Sequence, residues 1–134
     1  MGVFGAVSKL ENCIRVTGTS IDATTGVCTN QKVPISRYNT LYARVKKAQK
    51  GVPHGSDMYN SAILFRCCDS SAAGDYRIQY GSFPTNEIGD TAYTTETGIE
   101  TTLCVDISKI NIDTYILITS YGTKEYYIYE VWME

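Results

Sequence analysis

Residues 101–134 read TTLCVDISKINIDTYILITSYGTKEYYIYEVWME, and this stretch decides the fold. Residues 101–105, 114–120 and 125–133 are runs rich in β-branched and aromatic side chains, parted by short polar breaks. That is the pattern of consecutive antiparallel strands. Tyr121-Gly122-Thr123-Lys124 predicts a tight hairpin, because Gly122 is free to take positive φ. Side chains alternate along a strand, so Ile116 and Ile118 share one face while Tyr115, Leu117 and Thr119 share the other. In the last run Tyr127, Tyr129, Val131 and Met133 are expected opposite Tyr126, Ile128, Glu130 and Trp132. Neither face is purely polar, which predicts central or covered strands.

Working outward, the same alternation returns upstream. In residues 10–19 Leu10, Ile14 and Val16 point one way, with Glu11, Cys13, Arg15 and Thr17 the other. Residues 18–26 carry turn chemistry in Asp22 and Thr24-Thr25-Gly26. Residues 27–33 read as a strand ended by Pro34. Residues 38–46 place Leu41, Ala43 and Val45 inward, and Tyr42, Arg44 and Lys46 outward. LYARVKKAQK also holds good helix formers, and Tyr38, Leu41, Tyr42 and Val45 fit a helical stripe. The strand reading is preferred because everything after it is β. Gly51, Pro53 and Gly55 make residues 47–60 a loop. Residues 61–68 set Ile63, Phe65 and Cys67 against Leu64, Arg66 and Cys68; 69–74 turn; 75–80 is a strand with Tyr76, Ile78 and Tyr80 on one face. Residues 81–100, rich in Thr, Gly and acids, are expected to be irregular. The sum is about eight strands in an all-β, antiparallel two-sheet sandwich, jelly-roll-like. Residues 1–9, with Val3, Phe4 and Val7, form an N-terminal arm or short edge strand, and residues 10–134 a single domain.

Size and composition agree. A chain of 134 residues with 43% hydrophobic and 19% charged residues buries one ordinary core. Tyrosine dominates the aromatics, with 11 Tyr against 3 Phe and 1 Trp, as suits strands and wet surfaces. A net charge of −2 argues against nucleic-acid binding, which needs a concentrated positive field. No apolar run approaches the length of a membrane helix. MGVFGAVSKLENC lacks the basic start and apolar core of a secretory signal, and Ala6 stands where a myristoylation motif needs Ser or Thr. Cys13, Cys28, Cys67, Cys68 and Cys104 are odd in number and irregular in spacing. They predict buried or half-buried thiols in a reducing compartment, neither a disulfide framework nor a zinc site.

No catalytic constellation emerges. His54, the single histidine, lies beside Ser56 and Asp57, but a triad is assembled from residues distant in sequence, and a solvated loop histidine is expected. A Cys67–His54 pair fares little better. Glu87, Asp90, Glu96, Glu100, Asp106 and Asp113 could in principle serve glycoside hydrolysis or bind calcium, yet both need convergence that spacing does not show. No phosphate-cradling glycine loop is present. The expectation is a non-enzyme with no cofactor and no metal.

Two surface features remain. Positive charge gathers in Arg37, Arg44, Lys46, Lys47 and Lys50, whereas Glu87–Asp113 carries Lys109 alone against its acids. Such separation would let one copy's basic loop meet a neighbour's acidic loop, Glu87, Asp90, Glu96 and Glu100 included. The plain alternative is that the two groups lie adjacent within one fold. Outward tyrosines (Tyr42, Tyr59, Tyr93, Tyr121 and one face of the last strand) could stack on sugar rings or pack on protein.

The C-terminal third resembles small β-sandwich domains of tailed bacteriophages and prophages, found in head decoration proteins and tail or fibre modules. The matching residues are Leu103, Val105, Asp106, Ile107 and Ser108, then Tyr115, Ile116, Ile118, Ile128, Tyr129, Val131, Trp132 and Glu134. Leu41–Val45, SAILFR and GDYRIQYG fit more loosely, so the likeness covers roughly residues 38–134; residues 1–37 match nothing. Carbohydrate-binding modules share the pattern. The matching positions are framework positions, so no site is carried over. The resemblance implies a jelly-roll-like sandwich without catalysis, made in the bacterial cytoplasm and placed in a virion. Its partners would be other virion proteins or copies of itself, with no nucleic acid and no membrane. The alternative function is a carbohydrate-binding module recognising a cell-surface glycan; an enzyme using the Glu87–Asp113 acids is the third.

Overall fold

Every residue of Ile63–Cys68 is buried, which a strand achieves only in the middle of a sheet with both faces covered. The computed structural model describes residues 2–4, 6–17, 24–48, 62–69, 87–121 and 125–134. These contain ten strands and no helix. In chain order they are β1 (Gly2–Phe4), β2 (Ala6–Lys9), β3 (Ile14–Thr17), β4 (Thr24–Cys28) and β5 (Thr40–Lys47). Then come β6 (Ile63–Cys68), β7 (Glu87–Thr94), β8 (Thr101–Asp106), β9 (Tyr115–Tyr121) and β10 (Glu125–Met133).

The pairing is that of a jelly roll. Antiparallel partners nest from the outside in: β3 with β10, β4 with β9, β5 with β8, β6 with β7. A ribbon of four such pairs, folded over so that β10 also meets β5 and β9 also meets β6, gives two four-stranded sheets. Their orders are β3-β10-β5-β8 and β4-β9-β6-β7, and the N-terminal β2 and β1 extend one edge of each. The two short edge strands β1 and β2 are each paired within their own chain.

Between the sheets lies one core, built from the inward residues of each strand: Leu41, Ala43 and Val45 of β5, Ile63, Phe65 and Cys67 of β6, Ile116 and Ile118 of β9. Removing side chains of this size from water stabilises by roughly 2 kcal/mol apiece. The Tyr126 hydroxyl donates to the Ile118 carbonyl (3.4 Å), tying β10 to the opposite sheet. The turn after β8 is closed by Asp106, whose Oδ1 accepts from the Ser108 N–H (2.9 Å) and hydroxyl (2.6 Å). That turn drops Ile107 fully into the core. The Asp-Ile-Ser step is therefore a turn device with an apolar anchor.

Four expectations need correcting. Residues 87–94 are not irregular but form β7, an edge strand whose Gly89, Asp90 and Thr91 stand opposite Arg66 where the register shifts. Gly89, at φ 75°, supplies the backbone that this bulge needs. Composition hides such a strand, because an edge needs no second apolar face. The second strand spans Thr24–Cys28 instead of 27–33, with only Val33 bridging to Thr114 beyond it. Leu10 does not share the face of Ile14 and Val16: it lies before β3 and is exposed. In β10 the register shifts between Ile128 and Glu130, so Tyr126 and Ile128 do not share a face with Trp132. Met133 packs against the core instead.

The strand expected at 75–80, the hairpin at 122–124, and His54, Ser56, Asp57, Tyr59 and Lys50 lie outside the described residues.

Candidate functional site

The two outer faces of the sandwich differ. On the β4-β9-β6-β7 side, Cys28, Leu64, Arg66, Cys68 and Leu117 are buried, and Tyr115 packs beside the cysteines. That face is covered. On the β3-β10-β5-β8 side the outward residues are half-buried or exposed, and they fall into rows set by the strand register.

Lys46 of β5 pairs with Tyr127 of β10, and Tyr127 with Arg15 of β3. In the next row Thr102 of β8 pairs with Arg44 and Arg44 with Glu130. Beyond it Cys104 pairs with Tyr42 and Tyr42 with Trp132. Residues directly opposite on one face have their Cβ atoms about 5 Å apart and interact. The Tyr42 and Trp132 rings stack at 5.0 Å between centroids, 11° from parallel. Tyr129 is the extra residue at the β10 register shift. A bulge re-aims the side chain it carries, and here the Tyr129 ring lies beneath the Arg44 guanidinium (5.4 Å) and against Tyr127 (6.5 Å, 30°).

Arg44 is the hub. Its Nη1 donates to Glu100 Oε1 at 2.5 Å, and its Nη2 stands 3.7 Å from Glu130 Oε2. The Arg15 Nε donates to Glu125 at the far side of the face. Partial burial pushes the Tyr129 phenol up, with Glu100, Cys13 and Tyr127 adding to the push and Arg44 opposing it.

The structure divides the expected site residues. It brings Arg44, Glu100 and Tyr42 together, so basic and acidic stretches meet within one chain at this point. Lys46 faces outward beside them. Lys47 does not join the basic surface: the β5 alternation runs one residue further than expected, and Lys47 is buried, its carbonyl accepting from the Gly98 N–H (2.7 Å). Glu87 and Asp90 belong to β7, an edge of the other sheet, with Asp90 exposed. Glu96 follows β7, exposed, its N–H bonded to Thr94 Oγ1 (3.2 Å). Arg37 is exposed in the turn before β5. Tyr93, on β7, is exposed.

Among the acids considered for catalysis, Glu100 is turned to Arg44 and Asp106 to its own Ser108. Among the described residues no group of three or more His, Cys, Asp or Glu side chains is placed to hold a metal ion. The alternation in 125–133 had pointed to one outward face of the last strand, but Trp132, Glu130 and Tyr129 as partners of β5 were not foreseen. Their grouping depends on the bulge and on pairing across more than eighty residues. No protein-family model, no curated protein and no solved structure matches this chain.

Proposed function

We propose that the chain is a non-catalytic structural protein of a bacteriophage virion, a capsid decoration or a head or tail appendage that acts by docking to neighbouring subunits. One observation carries this reading. Several of the residues on which the phage resemblance rests frame the jelly roll: Asp106 closes the β8 turn, Ile107 anchors it, and Ile116, Ile118 and Ile128 fill the core. Jelly rolls serve viral capsid proteins, but also lectins and cupins, so the fold alone sets no function. The rigid sandwich supplies a scaffold, and contacts to neighbours come from residues 1–9 and from the loops at its ends.

Mass spectrometry of purified particles, from a lysate of cells that express the protein, tests the proposal. Light scattering of the isolated chain at low and high salt accompanies it. Stoichiometric recovery with the particles supports a virion part. Absence from them, with a monomer at both salts, overturns it.

A further inference from the structure

We propose that the outer face of the β3-β10-β5-β8 sheet, centred on Tyr42, Arg44, Trp132 and Glu130, binds a neutral glycan. The inference does not rest on placement in a virion, and either can fail without the other.

Charge is the first argument. Arg15, Arg44 and Lys46 share the face with Glu100, Glu125 and Glu130, with Asp106 at the same outward register of β8, and both arginines are paired to carboxylates. Such a face has no concentrated positive field with which to draw in a polyanion, and its interleaved signs select no peptide of one sign. It does present fixed donors and acceptors side by side. The Arg44, Glu100 and Glu130 side chains remain 42%, 45% and 57% exposed, so each has unused hydrogen-bonding capacity towards solvent. A sugar hydroxyl both donates and accepts, which matches a guanidinium flanked by carboxylates.

The aromatic side chains give the second argument. Tyr42 and Trp132 stack on one another one row away from Arg44, roughly 7 Å along the strand. One pyranose ring placed against them reaches the charged row with its hydroxyls. Access comes from β8, the edge strand, where Tyr42 and Arg44 are met by Cys104 and Thr102, both exposed and neither bulky. An apolar protein partner fits less well, because ion pairs interrupt the rings and a stable interface wants a dry, uncharged centre. Arg44 is held by Glu100, Glu130 and the Tyr129 ring, and Tyr42 by Trp132. Little side-chain freedom is therefore left to lose on binding.

Trp132 is the only tryptophan, so its emission reports directly on occupancy of this face. The experiment titrates the full chain with neutral oligosaccharides of glucose, galactose and N-acetylglucosamine, alongside sulfated and uronic-acid counterparts, at low and high salt. The expected result is a saturable change in Trp132 emission with at least one neutral oligosaccharide, insensitive to salt. Tyr42→Ala should weaken that binding at least tenfold, and so should Cys104→Lys, which obstructs the approach from an exposed position and spares the core. Tyr93→Ala, on the other sheet, should leave it unchanged. Silence with every neutral oligosaccharide overturns the proposal, as does wild-type binding by Cys104→Lys. Binding of charged glycans alone, fading with salt, overturns it too. So does an emission change that follows protein concentration, which would mean that a second copy covers the face.

Discussion

Tyr42 of β5 and Trp132 of β10 stand opposite one another in register, their rings stacked at 5.0 Å and 11° from parallel. The pair clips the C-terminal strand to the strand on which the Arg44 cluster is built. Cross-strand aromatic pairs contribute about 0.5–1.5 kcal/mol beyond the area they bury. A double-mutant cycle of Tyr42→Ala and Trp132→Ala, read from urea midpoints at constant slope, should return a coupling of that size. Independent, additive losses would mean that the stacking contributes nothing of its own.

Asp106 titrates below the ordinary carboxylate range, chiefly because the Ser108 hydroxyl donates to it, then because the Ser108 N–H does; burial opposes weakly and Lys109 helps. A carboxylate depressed in the folded state contributes stability above its unfolded pKa, and that contribution is lost as pH falls through the lowered folded value. Carbon-detected NMR should therefore find the Asp106 midpoint below the ordinary carboxylate range, and Ser108→Ala should raise it towards that range. A Ser108→Ala variant with an unmoved midpoint would remove the turn's role in setting it.

None of the five cysteines, all among the described residues, is in a disulfide. Cys104 is exposed, Cys13 half-buried, and Cys28, Cys67 and Cys68 buried. Burial also pushes the Cys67 thiol up, the neighbouring Thr114 hydroxyl only partly offsetting it, so its reactive thiolate is scarce. Alkylation followed by mass spectrometry should label Cys104 rapidly, Cys13 more slowly, and the other three only in denaturant. Rapid native labelling of Cys67 would contradict the packing between the sheets.

Gly26 is the residue in β4 where no side chain fits. A Cβ there would lie 2.6 Å from the Ile118 carbonyl oxygen and 2.7 Å from Thr119 Cγ2, both on the paired strand β9. Backbone cannot yield as a flexible side chain does, so Gly26→Ala should destabilise by roughly 1–3 kcal/mol, an overpacking cost. Chemical denaturation measures it. A neutral substitution would show that β4 can slide away from β9.

Much was legible before any coordinates. The alternation in 41–46, the double apolar pattern of 63–68 and the paired faces of Ile116–Ile118 and Leu117 follow from side chains pointing alternately to either side of a strand. That periodicity is local, so a sequence displays it. Asp106-Ile107-Ser108 could likewise be seen as part of a resemblance, though not as a turn whose Asp oxygen accepts two bonds while Ile107 dives into the core.

What tertiary structure decided is non-local. β7 carries Gly89, Asp90 and several threonines because an edge strand is satisfied by one neighbour, β6, and composition alone reads such a stretch as a loop. Lys47 is buried because its strand ran one residue longer than the apolar pattern. The face built from Arg44, Tyr42, Trp132, Glu130 and Glu100 exists only because β10 returns to lie beside β5 and because one extra residue, Tyr129, changes which side chains of β10 look outward. The sequence by itself determined most of the strands and their apolar sides, since a period of two residues is written in the chain. Which strands lie side by side, and hence which charges and rings meet, was set by closing the jelly roll, because hydrogen-bond partners separated by many tens of residues leave no local mark.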